Sequence, residues 1–175
     1  MSLGQVATFR HAASAERDGR LEFERAVAPI MPDVLSYFVR RVQPREDAAD
    51  CLSETMVALW RHRLMLPRDE SNRRAWAFGI ARKVLLNQQR GRSREVKLAD
   101  RVRSELRVAS VADPDVTTTV GDALEQLNET DRELVRLIVW DGFGVADAGA
   151  LFGLCPSASR MRFARAKDKL RGLLL

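Results

Sequence analysis

The sequence predicts an all-α protein of two small helical domains joined by a flexible linker. Apolar residues recur at three- and four-residue steps in two separate blocks, and no segment alternates as a strand does. Between the blocks, residues 95–119 mix charge with Asp113-Pro114-Asp115 and a threonine run, and lack an apolar stripe. The charges are also segregated. Arg73, Arg74, Arg82, Lys83, Arg90, Arg92 and Arg94 contain no acid among them, and Arg160 to Arg171 contain one, Asp168. Acids gather at Glu46 to Glu54 and at Asp113 to Glu133, so polyanion-facing surfaces and an acidic docking face are separated along the chain.

The 175 residues carry a net charge of +5, which favours nucleic acid or an anionic surface as partner. Cys51 and Cys155 lie far apart without metal-ligand spacing, so we expect two small packed thiols in a reducing compartment and no metal. No apolar run reaches signal-peptide or membrane-spanning length, which implies a cytoplasmic protein without membrane insertion. His11 and His62 find no Ser/Asp or Cys partners, and there is no Gly-rich phosphate loop. We therefore assign no catalysis and no cofactor.

Residues 1–19 read as a flexible tail. Leu21, Phe23, Val27, Ile30, Val34, Leu35, Phe38, Val39 and Val42 mark the first helical block, interrupted near Pro29 and Pro32 and ended at Gln43-Pro44. A helix over Arg45–Arg63 buries Ala48, Leu52, Thr55, Met56, Leu59 and Trp60. It leaves Asp47, Asp50 and Glu54 on one exposed face near its N-terminus, where the helix dipole favours acids. Leu64–Asn72 reads as a loop.

The next helix, Arg73–Gln89, turns Trp76, Ile80 and Val84 inward and Lys83, Asn87, Arg90 and Arg94 outward, with Gly91 near its end. Trp76 and Phe78 among arginines suit stacking on unpaired bases, although the inward stripe favours packing for Trp76. The loop before this helix is a candidate cradle for an extruded base.

In the second block, Thr130 with Glu133 has capping-box spacing, and Asp141-Gly142 closes a helix. Val145–Phe152, a turn at Gly153-Leu154-Cys155, and Pro156–Leu173 have the spacing of a helix-turn-helix. Its second helix would place Ser157, Arg160, Met161 and Ala164 near bases in the major groove, and Arg162, Arg165 and Lys167 near phosphates.

In order, these segments resemble a bacterial RNA polymerase sigma factor of the extracytoplasmic-function group, within the sigma-70 family. The resemblance spans Leu21 to Leu173. Asp47-Ala-Ala-Asp-Cys-Leu-Ser-Glu-Thr-Met-Val-Ala-Leu-Trp60 is similar to the family's region 2.2. Arg74-Ala-Trp-Ala-Phe-Gly-Ile-Ala-Arg-Lys-Val-Leu-Leu-Asn87 is similar to regions 2.3 and 2.4. Leu127 to Leu134 and Gly153 to Leu170 are similar to region 4.

The resemblance implies a non-enzymatic transcription initiation factor with residues 20–94 as a sigma-2-like domain, 95–119 as linker and 120–175 as a sigma-4-like domain. It implies docking of Asp47, Asp50, Ser53 and Glu54 on the β′ clamp helices of core RNA polymerase, and contact of the second domain with the β flap. Asn72 and the loop before it would hold a flipped −10 base. Arg73, Arg74, Trp76, Arg82, Lys83, Asn87 and Arg90 would serve the −10 DNA, and Ser157, Arg160, Met161, Arg162 and Arg165 the −35 DNA. An anti-sigma factor would be the regulator, with the chain monomeric when free or 1:1 with that partner.

The chain departs from the family pattern at Ser53 (commonly Gln), Lys83 (Asn), Asn87 (Asp), Ser159 (a buried Val) and Met161 (Ser). Ala148 and Gly149 are unusually small for the first helix of a helix-turn-helix, which predicts a less stable second domain. Without the resemblance, a stand-alone helix-turn-helix regulator and a helical protein-interaction adaptor account for the same patterns. The linker of about 25 residues extends to roughly 80 Å but coils to roughly 25–30 Å. Reading two elements about two helical turns, or roughly 70 Å, apart therefore requires it nearly extended.

Overall fold

The computed structural model describes residues 17–106 and 119–174, in two compact units, 1–91 and 92–175. Among the described residues every regular element is helical. The first unit begins with α1, residues 17–27, so positions 17–19, expected in the flexible tail, are helical instead. Residues 1–16 of that expected tail, including His11, lie outside the described residues. A 3-10 turn at Ala28–Ile30 leads into α2, Met31–Val39. The prolines fall at the starts of these elements, where a missing N–H is no loss.

Helix α3, Asp47–Arg61, packs on α2 and buries Ala48, Cys51, Thr55 and Leu59. Thr55 satisfies its hydroxyl within the helix by donating to the Cys51 carbonyl at 2.7 Å. A 3-10 turn, Arg63–Met65, precedes α4, Glu70–Leu106. Asp69 starts α4, its carboxylate accepting from the Asn72 N–H at 2.9 Å. Asn72 therefore sits in the first helical turn, not in the preceding loop.

The 37-residue α4 also passes through Gly91 and into the expected linker. An exposed helical glycine costs only about 1 kcal/mol relative to alanine, and the surrounding Gln, Arg and Lys residues favour helix. The helical part of the linker, 95–106, rises about 1.5 Å per residue, so it spans far less than an extended chain would. Linker residues 107–118 are outside the described residues.

The core of the first unit is built on aromatic rings. Tyr37 meets Phe38 and Phe78 edge-on at 5.3 and 5.5 Å, and all three are buried. Along α4 the buried positions are Ala77, Phe78, Ala81, Val84 and Leu85. Phe78, placed among the base-stacking candidates by sequence, is thus a core residue, and Trp76 is half-buried.

Beyond the last residues of α4, the second unit contains α5, Thr119–Glu125; α6, Glu129–Val139; α7, Val145–Ala150; and α8, Pro156–Leu174. Asn128, not Thr130, caps α6: its Oδ1 accepts from the Asp131 N–H at 2.9 Å, and its amide donates to the Asp131 carboxylate at 2.6 Å. Thr130 lies one residue inside the helix, so its expected capping box with Glu133 does not form. Arg132 clasps the end of α5, donating to the carbonyls of Leu124, Glu125 and Leu127.

Gly153, at φ +71°, turns the chain from α7 toward α8 in the left-handed conformation that glycine adopts without strain. The small residues of α7 have a direct role. A Cβ on Gly149 would lie 1.7 Å from the Ser159 Oγ, so only glycine lets these helices approach so closely. Ser159 is fully buried and donates its hydroxyl to the Cys155 carbonyl at 2.9 Å. Gly149 and Ser159 are therefore matched in volume, the glycine leaving the room that the serine side chain fills.

Candidate polymerase and promoter interfaces

Three helix faces carry the residues singled out by sequence. On α3, Asp50, Ser53, Glu54 and Val57 are exposed at helical spacing on the side away from the core. Asp47 is half-buried and accepts weakly from the Gln88 amide at 3.4 Å, so it stands partly against α4 instead of on that face. The Ser53 hydroxyl folds back onto the Ala49 carbonyl. The acids leave an imprint on the buried Cys51: its thiol pKa is raised, first by burial and then by Glu54, Asp47 and Asp50. Val57, 49% exposed, is an apolar member of this face that the sequence reading left out.

On α4, Lys83, Asn87, Arg90 and Arg94 are all exposed, and Arg82 is half-buried at its edge. The face contains no acid. Arg73 and Arg74, placed with these residues by charge, are engaged inside the unit. Arg74 pairs with Asp33 at 3.2 Å and lies 4.8 Å over the Phe78 ring. Arg73 donates to backbone carbonyls of Pro67, Arg68 and Ala26. Neither guanidinium is displayed with the Lys83–Arg94 stripe.

At the end of α3 a recess of about 790 Å³ opens between α1 and the segment leading to α4. Phe23, Trp60, Arg63, Leu64, Arg68 and Arg73 contribute to its lining. Phe23 and Trp60 meet edge-on at 5.2 Å, and the Arg63 guanidinium lies 4.3 Å over the indole. Leu64 is 95% exposed beside it. Sequence reasoning marked the 64–72 segment but missed Phe23, Trp60 and Arg63. The three-residue step from Trp60 to Arg63 at a helix end was the available signal.

On α8, Ser159, Arg162, Phe163, Ala166 and Leu170 form the inward stripe. Ser157, Arg160, Met161 and Arg165 point outward, and Met161 is 56% exposed. Arg162, expected at a phosphate, instead pairs with Asp131 at 2.7 Å and donates to Asn128. It ties α8 to the cap of α6.

Cys155 is exposed at the start of α8, contrary to the expectation of a packed thiol. Its pKa is lowered by the Ser157 hydroxyl at 3.2 Å and by the Ala158 N–H. Among the described residues, no cluster of His, Cys, Asp and Glu has metal-binding geometry, and no helix is long and apolar enough to cross a membrane.

Residues 27–95 match the family model of sigma-70 region 2, and residues 118–170 match that of sigma-70 region 4. The chain is 33% identical over 168 residues to the RNA polymerase sigma factor CarQ of Myxococcus xanthus, covering 90% of this chain and 92% of that protein. It is 30% identical over 138 residues to the ECF RNA polymerase sigma factor SigF of Caulobacter vibrioides, covering 77% and 75%.

Two solved structures are similar. One is the sigma factor RpoE of Bartonella quintana in complex with the anti-sigma factor NepR, at TM-score 0.66 and 28% identity over 87% of this chain and 96% of that one. The other is CnrH in complex with the cytosolic domain of CnrY, at TM-score 0.58 and 25% identity over 93% and 94%.

Two region matches in order, relatives aligned along most of their length, and helical units with segregated charge point one way. The chain belongs to the extracytoplasmic-function group of sigma-70-family RNA polymerase sigma factors, non-enzymatic initiation factors that direct RNA polymerase to promoters.

Proposed function

We propose that residues 20–94 dock on core polymerase and read the −10 element, residues 95–119 connect, and residues 120–175 read the −35 element. One observation carries this division: the first unit displays an acid-bearing face on α3 and, at Lys83, Asn87 and Arg90, an acid-free basic face on α4. Asp50, Ser53, Glu54 and Val57 form the face for the β′ clamp helices, with the acids supplying complementarity to a basic surface. Lys83, Asn87, Arg90 and Arg94 track −10 phosphates and bases. The recess beside Trp60 and Arg63 takes a base extruded from the opened duplex, stacking it against an aromatic wall in a cationic setting.

In the second unit, Ser157, Arg160 and Met161 lie at base edges of the −35 major groove, and Arg165 lies at a flanking phosphate. The second unit also meets the β flap. Asp47, Arg74, Trp76 and Arg162 support these faces from behind. The site of action is the cytoplasm, where polymerase and promoter are found. The similarity to a sigma factor solved in complex with an anti-sigma factor supports such a complex as the regulated state, here with 1:1 composition.

The test uses the Asp50→Arg/Glu54→Arg double variant, in which both acids are exposed and the core is untouched. The variant should keep its helical circular dichroism and lose co-migration with core polymerase. Unchanged co-migration removes α3 as the docking face. In parallel, core enzyme plus the wild-type chain should yield new transcription starts from a genomic library, and none would count against promoter reading.

A further inference from the structure

We infer that Arg73 is a positioning residue for the base-reading segment and not a DNA phosphate contact. The inference rests on the proposed capture of an unpaired −10 base by that segment. It starts from three carbonyls. Arg73 Nε donates to Pro67 O at 3.1 Å, one terminal nitrogen to Arg68 O at 2.7 Å, and the other to Ala26 O at 3.5 Å. The first two acceptors lie in the loop leading to α4. The third lies in the last turn of α1, 47 residues away in sequence.

Residues 66–69 belong to no helix and have no strand neighbour to fix their path. Backbone carbonyls in such a loop ordinarily turn to water. Here one planar guanidinium gathers two of them and joins them to α1. Only arginine offers donors in a rigid fork, whereas lysine is a single point charge. From the other side Asp69 pins the loop to α4: its carboxylate accepts from the Asn72 N–H and its carbonyl from the Arg73 N–H, both at 2.9 Å. The Arg73 side chain thus sets how far the loop stands from α1, and with it the mouth of the recess that both segments line.

These bonds take three of the five guanidinium N–H donors and hold the half-buried group against the loop and α1, apart from the exposed stripe of α4.

The experiment is in vitro transcription by the holoenzyme from a promoter that the wild type uses, randomised across its −10 element. Wild type, Arg73→Lys, Arg73→Ala and Leu64→Ala are compared, and Leu64→Ala trims the lining of the recess while leaving the Arg73 bonds in place. Both Arg73 variants should flatten base preference by about tenfold or more, the scale of one base read, at the position that Leu64→Ala also affects. Preference at the other −10 positions and at the −35 element, affinity for core polymerase, and the salt dependence of Arg73→Lys should match the wild type.

If Arg73→Lys behaves as wild type while Arg73→Ala loses affinity uniformly and its salt slope falls by about one, Arg73 contacts a phosphate and the inference is overturned. A joint loss of core affinity, helicity and all base preferences in Arg73→Lys makes Arg73 a general brace and also overturns it. If Leu64→Ala leaves every −10 position unchanged, the capture reading itself fails, and the inference falls with it.

Discussion

Helix α4 is seated through an aromatic cluster, and helix α8 meets α7 through a glycine and a serine. In the first unit Phe78 reaches from α4 into Tyr37 and Phe38, and the rings fill the space between helices. In the second, Gly149 and Ser159 bring α7 and α8 together with no volume to spare, while Ala166 meets Leu124, Leu127 and Val135. Polar straps do much of the remaining holding there, with Arg132 on the end of α5 and Arg162 on the start of α6. Both units present outward cations, but they fix the presenting helix by different physics. Aromatic filling tolerates small shifts, whereas a glycine contact sets one interhelical distance. A reader of duplex major groove depends on that distance, because its side chains must meet base edges at fixed positions.

The comparison breaks most sharply at Phe78. Replacing it by alanine removes a buried ring and should cost about 3–5 kcal/mol. Amide exchange should speed up across α2, α3 and the first half of α4 while α6 to α8 keep their protection. Equal loosening of both units would mean that they do not hold their presenting helices independently.

Gly149→Val is the counterpart in the second unit, since its side chain must enter space that Ser159 occupies. Overpacking of this kind should cost about 1–3 kcal/mol, and it should lower −35 selectivity more than −10 selectivity. Promoter-library transcription separates the two. A larger loss at −10 would contradict the role given to the α7–α8 contact.

The smallest effect is expected at Arg162→Gln. The pair with Asp131 is partly exposed, on side chains 35% and 17% accessible, so solvent screening holds its contribution to about 1 kcal/mol. Thermal melting should show this loss, and the salt slope of promoter binding should stay as in the wild type. A slope lower by about one would return Arg162 to the phosphates.

These assignments also show what a sequence can reveal here. Ala48, Thr55, Leu59 and Val84 follow the expected inward stripes because burial on one helix face is a local, periodic property, whereas Leu52, Met56, Trp60, Trp76 and Ile80 are only half-buried and Cys51 and Phe78 fill the core instead. The exposed set Lys83, Asn87, Arg90 and Arg94 followed from the same periodicity. The misplacements share one cause. Arg74 and Arg162 are set apart from the exposed arginines by acids 41 and 31 residues away, and Arg73 by two loop carbonyls just before it and by Ala26, 47 residues away; charge patterning carries no information about such partners.

The cap of α6 was assigned to Thr130 because Thr130 and Glu133 have the right spacing. Asn128, however, holds the extended backbone at φ −64°, ψ 157° and supplies the bonding oxygen. Gly91 was read as an end signal, but a helix stops only where its cost exceeds what flanking residues supply. Ala148, Gly149 and Ser159 looked like defects one at a time and are a matched set only when α7 and α8 are seen together. The recess escaped notice because α1, α3 and the loop that line it are scattered in sequence.

The continuity of α4 through Gly91 to Leu106 gives the positions within that helix a common phase. In a coil, one inserted residue adds a little reach and leaves direction averaged. In a helix it adds about 1.5 Å and turns everything beyond it by about 100°, so four residues nearly restore the original heading while two reverse it. Within α4, a change of length beyond Gly91 therefore alters which of the following helical positions, up to Leu106, share a face with Lys83, Asn87 and Arg90.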